Sequence, residues 1–500
     1  MPSGNTPGTP AVTTADSLSE ESTMNEGRAA QPGRLRTYLP GRRAGKSPRI
    51  RTFVLGGAVV AAAVSLAACS GGQSIGGGSS SASSGSPYGF TAAKQNPKSE
   101  ITVWVDSTRL PAAQAYEKAT GQKIKIVTYD GDANGSNSFR TKMELYNRAG
   151  SGWPDVVFTA DDNSASWGSL SGTGDLAPLN QGTKNLVPAS TLGGFASGSL
   201  GVCTVNGSVY CLRNDLAQNV LWYNKSLMAK WGYQVPTTWE QYQALAAKVA
   251  KAHPGYIVGT AGDAWTPEIY MWGSECPASQ VTGAKAITVN TSSPDCVRAA
   301  RMLDSLIANK TMSTQDIFGP QFAKQQGSKI LMMPGPDWYG GSVFQGLLKT
   351  PKGQIAVAPA LHWANESTPV TGAVGGGAWW VSAHSTNLAA AVKFATWVTT
   401  SDAYQVDLAP GYPAYKAAAV KWVAKQQSSG YWANNISTPI IAAASQVWTG
   451  WTPPEFSQES VWASTVSAGM AQGKSIESLL PAWQTAITNQ AKVLGYTVSK

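Results

Sequence analysis

The sequence has few of the residues on which metal and catalytic sites depend. It contains three histidines and five cysteines in 500 residues, and no histidine lies near a Cys-x-x-Cys spacing. We therefore predict no metal site. There is also no His-Glu-x-x-His motif and no P-loop, and no Gly-x-Ser-x-Gly elbow follows residue 100. Because many enzymes depend on such motifs, we predict neither catalysis nor a cofactor.

Clustered positive charge is missing as well. The formal net charge is +9, but eight of the 38 Lys and Arg residues and four of the 29 Asp and Glu residues lie before Cys69. The rest of the chain has 30 basic against 25 acidic residues, spread without a block or stripe. Nucleic-acid binding requires basic residues along one face, so we predict no nucleic-acid partner.

An export signal stands near the N-terminus in place of a membrane-spanning segment. Residues 53–68 form an uncharged apolar run of 16 residues, shorter than the roughly 20 that a spanning helix needs. Basic residues precede it, as in a signal peptide: Arg42, Arg43, Lys46, Arg49 and Arg51. Residues 66–69, Leu-Ala-Ala-Cys, resemble the lipobox of bacterial lipoproteins, which implies cleavage before Cys69 and a lipid on its sulfur. The alternative is an uncleaved signal anchor with an incidental cysteine.

The first 99 residues are predicted to form no folded domain. We interpret residues 1–68 as a cytoplasmic extension followed by the lipoprotein signal peptide, with Met24 as an alternative translation start. Residues 1–48 are polar and rich in Gly, Pro and Ser, a composition that cannot bury a core. Residues 69–99 begin with a Gly/Ser tract that is typical of a flexible tether. Lipid chains on Cys69 would hold the folded body at the extracellular face of the cell membrane.

The four remaining cysteines form two near pairs, Cys203 with Cys211 and Cys276 with Cys296. An even number of cysteines in an exported chain predicts two disulfides. In the first pair, Asn206-Gly207 between β-formers predicts a hairpin. A strict two-residue loop would pair position 203 with 210. We therefore expect a three-residue or bulged loop that brings the two cysteines opposite each other.

After residue 100 the chain alternates between strand and helix patterns. Strands are predicted at residues 101–106, 123–129 and 154–158, with helices at 111–120 and 139–148 between them. This alternation predicts an α/β fold with a parallel, helix-covered sheet. Ligands of such sheets lie at the carboxyl ends of strands, which places Asp106, Asp161 and Asp162 at a candidate site. The same acids could instead be turn residues or helix N-caps.

The most characteristic stretch begins at Tyr223-Asn224-Lys225. It continues with Gly232, Pro236 and Thr-Trp-Glu at 238–240, and this combination resembles family 1 extracellular solute-binding proteins, the maltose-binding-protein group. Three further segments occur in the family's order, at residues 322–338, 374–397 and 473–480. The resemblance covers about residues 100–495. The sequence departs from the family in lacking a proline upstream of Tyr223 and in carrying an inserted Asp337.

The resemblance implies a two-lobe periplasmic-binding-protein-like fold of type II, with hinged lobes that close around a ligand. Lobe 1 is expected to contain residues 100–215 and about 375–425, and lobe 2 residues 216–374 and about 426–500. The implied function is that of a monomeric, lipid-anchored binding protein that delivers a sugar or oligosaccharide to the permease subunits of an ABC importer. Alternatives are a peptide, polyamine or iron ligand on the same fold, or a surface lipoprotein without a transport role.

The candidate ligand-binding residues combine charge with aromatic surface. Nineteen tryptophans follow Cys69, and indole rings stack on the apolar faces of sugars while acids, amides and Arg bond to the hydroxyls. Family placement favours Asp106, Arg109, Asp161 and Asp162 in lobe 1, together with Trp338. Position along the chain adds three further candidates, Trp265, Trp379 and Trp462. Trp462 is chosen from a cluster with Trp448 and Trp451, and the sequence does not identify which of the three faces the cleft.

Overall fold

The computed structural model describes residues 86–500. All of them belong to one compact unit. Cys69, the export signal and most of the predicted tether lie outside the described residues. Within the described part, no helix has both the length and the apolar character that crossing a membrane requires.

A five-stranded sheet forms the centre of the first lobe. In spatial order its strands are Lys125–Thr128, Thr102–Val105, Val156–Thr159, Ala378–Val381 and Cys211–Arg213. The first three are parallel, as the alternation of strands and helices predicts. Ala378–Val381 returns from far along the chain and pairs antiparallel with both of its neighbours.

Helices cover this sheet on both faces. The two helices predicted at 111–120 and 139–148 begin and end close to those bounds. Gly121 follows the first of them with a φ of +68°, the left-handed conformation that glycine adopts at low cost. The first-lobe helices are Leu110–Thr120, Ser138–Ala149, Ser164–Gly168, Ala189–Leu192, Leu388–Thr400 and Asp402–Gln405.

The second lobe is assembled from smaller sheets. Met332–Pro336 and Ile355–Ala358 flank Asn219–Asn224 in an antiparallel sheet. A parallel pair joins Gly259–Thr260 to Met312–Ser313. A third sheet is formed by Thr497–Ser499, Ala286–Thr288 and Gln280–Gly283.

Helices surround these sheets. Thr238 caps the helix Trp239–Ala252, because its side chain accepts a hydrogen bond from Gln241 N at 3.2 Å. The other α-helices in residues 219–500 outside the first lobe are Lys225–Trp231, Pro294–Ala308, Pro320–Gln326, Lys416–Ser428, Ser437–Ala444, Gln458–Trp462, Ala468–Met470 and Ile476–Val493. Wider π-helical turns occur at Pro267–Met271, Gly340–Leu347 and Ala463–Ser467.

Two separate hydrophobic cores lie in the two lobes. One draws on residues 90–212 and 378–414, and the other on residues 220–374 and 422–496. The chain therefore passes between the cores three times. The helix Lys416–Ser428 buries Trp422 in the second core, whereas the sequence placed the end of this lobe 1 segment at about residue 425.

The three passages run side by side and form the hinge. Asp215 N donates to Gly376 O at 2.9 Å, and Val374 N donates to Ala217 O at 3.0 Å. The third passage joins through Leu216 N, which donates to Tyr412 O at 3.0 Å. Backbone hydrogen bonds thus tie all three passages together.

The first described residues are fastened to the first lobe. Phe90 is buried in its core, and Lys184 N donates to Pro87 O at 2.8 Å. The Gly89 Cα lies so close to Gln181 that an added Cβ would stand 2.8 Å from that residue's Cβ. The chain therefore enters the fold through this lobe.

Both predicted disulfides are present. The Cα atoms are 5.1 Å apart for Cys203–Cys211 and 4.5 Å apart for Cys276–Cys296. The expected loop was wrong, because Asn206 and Gly207 form a two-residue turn with φ of +50° and +78°. Tyr210 N donates to Cys203 O at 2.8 Å, so position 203 does pair with 210. Cys211 reaches Cys203 from the start of the next strand instead.

Candidate ligand-binding site

A small cavity opens between the lobes. Residues 161–163 and Val202 line it from the first lobe. Glu268, Trp272 and residues from 451 to 459 line it from the second lobe. It therefore lies where a ligand would touch both halves of the molecule.

The first-lobe wall follows the central strand Val156–Thr159. The chain turns there, and Asn163 N donates to Asp161 Oδ1 at 3.1 Å. Asp162 forms an ion pair with Arg213, whose side chain is 5% exposed. Arg213 also donates from Nε to Asp215 O at 3.1 Å and from Nη2 to Gly375 O at 2.5 Å. This arginine therefore fixes the site wall to two passages of the hinge.

The second-lobe wall combines a carboxylate with indole rings. Glu268 lies on the π-helical turn Pro267–Met271 and is 7% exposed. Trp272 follows that turn and stacks on Trp451 with ring centroids 5.6 Å apart and planes at 12°. The Trp272 Nε1 donates to Trp448 O at 2.7 Å, which fixes the ring. Flat indole surface of this kind suits the apolar face of a sugar ring.

Direct contacts hold the lobes closed at one end of the cavity. Ser460 of the second lobe donates to Gly135 O of the first lobe. Arg140 Nη1 donates to Glu455 O at 2.6 Å, and Ser166 Oγ donates to Pro453 O at 3.3 Å. The structure therefore shows the closed arrangement.

Three polar atoms that lack a protein partner belong to residues lining the cavity. They are Asp161 Oδ2, Asn163 Nδ2 and Gln458 Oε1. These residues are 6%, 4% and 7% exposed, and a buried polar group without a partner costs about 1–3 kcal/mol. Two acceptors and one donor inside one cavity are therefore suited to a ligand that both donates and accepts hydrogen bonds.

Burial also perturbs the acids of the cavity. It raises the pKa of Asp161 well above its usual range, and repulsion from Glu459 adds to the effect. It raises the pKa of Glu268 well above its usual range too, again with repulsion from Glu459. The pKa of Asp162 is raised to about 6, because burial outweighs the attraction of Arg213.

Asp132, next to the cavity wall, provides a test of this burial. Burial raises its pKa to about 7, although its carboxylate accepts a hydrogen bond from Phe139 N at 2.9 Å. Between the ordinary pKa of 3.8 and about 7 the folded protein holds a proton that the unfolded chain has lost. Stability from this group is therefore lost as the pH rises through that window.

We expect Asp132→Asn to remove this loss, because asparagine keeps the acceptor and cannot ionise. Relative to the variant, the wild type should lose about 1.4 kcal/mol or more of unfolding free energy between pH 4 and pH 7, which corresponds to one pKa unit. Urea unfolding of both proteins across this range measures the difference. A wild type that gains stability over the variant with rising pH would contradict the prediction.

The family comparison agrees with this geometry. The sequence model of the family described as bacterial extracellular solute-binding protein matches residues 101–405, more than half of the chain. The chain belongs to this family. A comparison with curated proteins gave no match.

Solved structures of similar shape support the fold of this solute-binding protein. An ABC transporter associated binding protein from Bifidobacterium animalis subsp. lactis Bl-04, in complex with β-1,6-galactobiose, has a TM-score of 0.68 at 22% identity, covering 80% of this chain and 99% of that one. The galacto-N-biose/lacto-N-biose I-binding protein of Bifidobacterium longum has a TM-score of 0.65 at 19% identity, covering 81% and 100%. The GacH receptor of Streptomyces glaucescens has a TM-score of 0.60 at 19% identity, covering 80% and 99%. These likenesses confirm the two-lobe fold.

The predicted site residues of this solute-binding protein fall into four groups. Asp161 and Asp162 line the cavity. Arg109 forms ion pairs with Asp106 at 3.5 Å and with Asp215 of the hinge at 3.8 Å. Asp106 and Arg109 therefore lie in a charge network beside the hinge, mostly removed from solvent.

Two predicted tryptophans lie next to each other in the second lobe. Trp265 and Trp338 meet edge to face at 6.2 Å, and exposed Phe318 stacks on Trp338 at 6.2 Å. Trp338 Nε1 donates to Val374 O of the hinge at 2.9 Å. This aromatic group is partly open to solvent, and its ligand role remains a prediction.

Trp379 and Trp462 lie away from the cavity, and here the sequence-based choice needs correction. Both are 0% exposed. Trp379 packs on Phe158 and Phe394 because its strand is covered on both faces. Trp462 packs edge to face on Trp483, with centroids 4.9 Å apart. Of the C-terminal cluster, Trp451 lines the cavity instead.

Glu268, Trp272 and Glu459 were missed by the sequence analysis. The π-helical turn carries Glu268 and leads directly to Trp272, and nothing in the local pattern separates such a turn from an ordinary helix. Glu459 lies almost 300 residues after Asp162 and reaches the cavity only through lobe closure. Motif spacing along the chain therefore gave no signal for them.

Proposed function

We propose that this protein is a lipid-anchored extracellular solute-binding protein that delivers a sugar or oligosaccharide to an ABC importer. One observation supports this most: both lobes contribute unpartnered polar atoms to a closed cavity with stacked indole rings. Hydroxyl groups bond to such atoms while the ring face stacks on indole. Structural relatives were solved with β-1,6-galactobiose and lacto-N-biose, which agrees with a sugar ligand.

Closure would convert ligand binding into a signal for the transporter. We propose that lobe 1 contains residues 100–215 and about 375–415, and lobe 2 residues 216–374 and about 416–500. The distribution of the two cores supports this division and favours a last boundary earlier than the expected residue 425. Rotation about the three hinge passages brings the lobes together around the ligand. The permease subunits then bind the closed monomer. No step in this cycle changes a covalent bond, which agrees with a protein that is not an enzyme.

The full chain in detergent, screened by thermal shift against mono- and oligosaccharides, tests the ligand class. A ligand that binds only the folded state raises the melting temperature, by RT ln(1 + [L]/Kd) in free energy. We expect at least one sugar to do so. A shift with peptides or ferric iron and with no sugar would contradict the proposal.

Lipid anchoring through Cys69 is tested by a separate experiment. Cys69→Ser removes the sulfur that would carry the lipid, so we expect the exported protein to leave the membrane fraction and enter the medium. Fractionation of expressing cells with an antibody measures this. Ser70→Ala, beside the cysteine, is the matched control and should stay with the membrane. Equal membrane retention of both variants would contradict lipid anchoring.

A further inference from the structure

Four carboxylates surround the cavity and are called the acidic ring: Asp161, Asp162, Glu268 and Glu459. Each lobe contributes two of them, so closure brings them together. Among the described residues that line the cavity, none is Lys, Arg or His. Arg213, behind the wall, pairs with Asp162. Arg213 therefore neutralises only one of the four carboxyl groups.

Two members of the acidic ring are buried, and the cavity around them is incompletely bonded. Asp161 and Glu268 are 6% and 7% exposed. Asp161 Oδ2 and Gln458 Oε1 in the cavity lining have no protein partner, and neither has Asn163 Nδ2. The first two atoms are acceptors and the third is a donor. The ligand that completes the cavity must therefore supply hydrogen-bond donors to two of the three atoms.

The carboxylates also repel one another. Glu268 and Glu459 line the same cavity, and burial together with repulsion from Glu459, Asp162 and Asp161 raises the pKa of Glu268. Like charges that share a poorly hydrated site favour protonation. A positive group among them removes the repulsion and forms charge-assisted hydrogen bonds, about twice as strong as neutral ones. A neutral hydroxyl removes the repulsion poorly, and its hydrogen bonds to the carboxylates are only in part charge-assisted.

The indole wall is compatible with the same ligand. Trp272 and Trp451 stand beside the ring of acids in the cavity lining. Indole faces bind the apolar side of a pyranose and also attract ammonium groups within about 6 Å. A sugar ring that carries an amine satisfies both walls at once.

We propose that the ligand is an amino-substituted sugar whose protonated amine lies among Asp161, Glu268 and Glu459. The sugar part of this inference rests on the function proposed above. The amine part rests on the acidic ring and its unpartnered acceptors. The two parts can fail separately.

Calorimetry on the full chain in detergent tests the amine. The probes are matched sets of gluco- and galacto-configured disaccharides in which one hydroxyl is kept, replaced by acetamide or replaced by a free amine. We expect an amine member to bind at least tenfold tighter than both of its neutral counterparts. Neutral counterparts that bind as tightly as every amine would overturn the inference and leave the sugar function in place.

A variant localises the effect. Glu268→Gln removes one charge and keeps the shape, so we expect the affinity for the amine to fall about tenfold while that for a neutral counterpart changes by less than threefold. Glu144→Gln, half-exposed on the first lobe with Arg140 as its partner, is the control and should change neither. An equal loss for amine and neutral probes in Glu268→Gln would overturn the placement of the amine.

Spermidine is included to separate the two proposals. If spermidine binds and no sugar does, the sugar function is wrong, and with it the amino-sugar ligand, although cation recognition by the acidic ring stands. If neither spermidine nor any sugar binds, both proposals are wrong. If amino sugars bind in preference to spermidine, both are supported.

Discussion

Gly135→Val should weaken ligand binding by about a hundredfold. Gly135 ends the short turn Ala133–Gly135 of the first lobe, and a Cβ there would stand 2.5 Å from Ser460 N and 2.6 Å from Ser457 Oγ of the second lobe. The nearer atom belongs to the backbone and cannot move aside like a flexible side chain. Overpacking costs about 1–3 kcal/mol, and about 2.7 kcal/mol on the closed form alone is a hundredfold in affinity.

The chain offers a matched control for this variant. Gly121 has the same φ of +68°, but a Cβ added there meets nothing within 4 Å. Gly121→Val therefore introduces similar backbone strain without blocking the lobes, and its affinity should equal that of the wild type. Calorimetry with whichever sugar raises the melting temperature measures both. Similar affinity in the two variants would show that contact between Gly135 and Ser460 is not needed for binding.

Arg213→Met should lower the free energy of unfolding by about 3–5 kcal/mol, because removing one partner leaves a buried charge uncompensated. The guanidinium pairs with Asp162 and bonds to the carbonyls of Asp215 and Gly375. Burial already raises the pKa of Asp162 to about 6 against the attraction of this arginine. Without Arg213 the carboxyl must take up a proton or remain charged without a partner.

Urea unfolding at pH 7 measures the loss. Arg301→Met is the control, since Arg301 is 67% exposed and pairs with Glu477 at 2.8 Å on the surface. Exposed pairs contribute about 0–1 kcal/mol, so the control should stay close to the wild type. Equal effects of the two substitutions would exclude a structural role for the buried pair. The double variant Arg213→Met/Asp162→Asn should recover part of the lost stability.

The first-lobe sheet was predictable because its signals are local. Residues 101–159 alternate between apolar strands and amphipathic helices, and the parallel pairing follows from the intervening helices. The pairing of Ala378–Val381 with this sheet has no local signal, because the strand comes from far along the chain. The predicted ligand role of Trp379 failed for that reason: a strand covered on both faces buries every side chain.

The site was predictable only where it follows a strand end. Asp161 and Asp162 come directly after Val156–Thr159, so the rule for parallel sheets located them. Glu268, Trp272 and Glu459 meet these acids through closure of two lobes, and no spacing along the chain encodes that meeting. The turn at Asn206-Gly207 was recognised, but the bend after Tyr210 that brings Cys211 to Cys203 depends on the neighbouring sheet.

The fastening of residues 86–90 to the first lobe has a mechanical consequence. If the chain is anchored through Cys69, the predicted tether leads to lobe 1, and lobe 2 is attached only through the three hinge passages. Lobe 2 then moves relative to the tethered lobe 1 during capture and release, while lobe 1 stays within reach of the membrane. A transporter would meet one surface that is always presented and a second that arrives only with cargo.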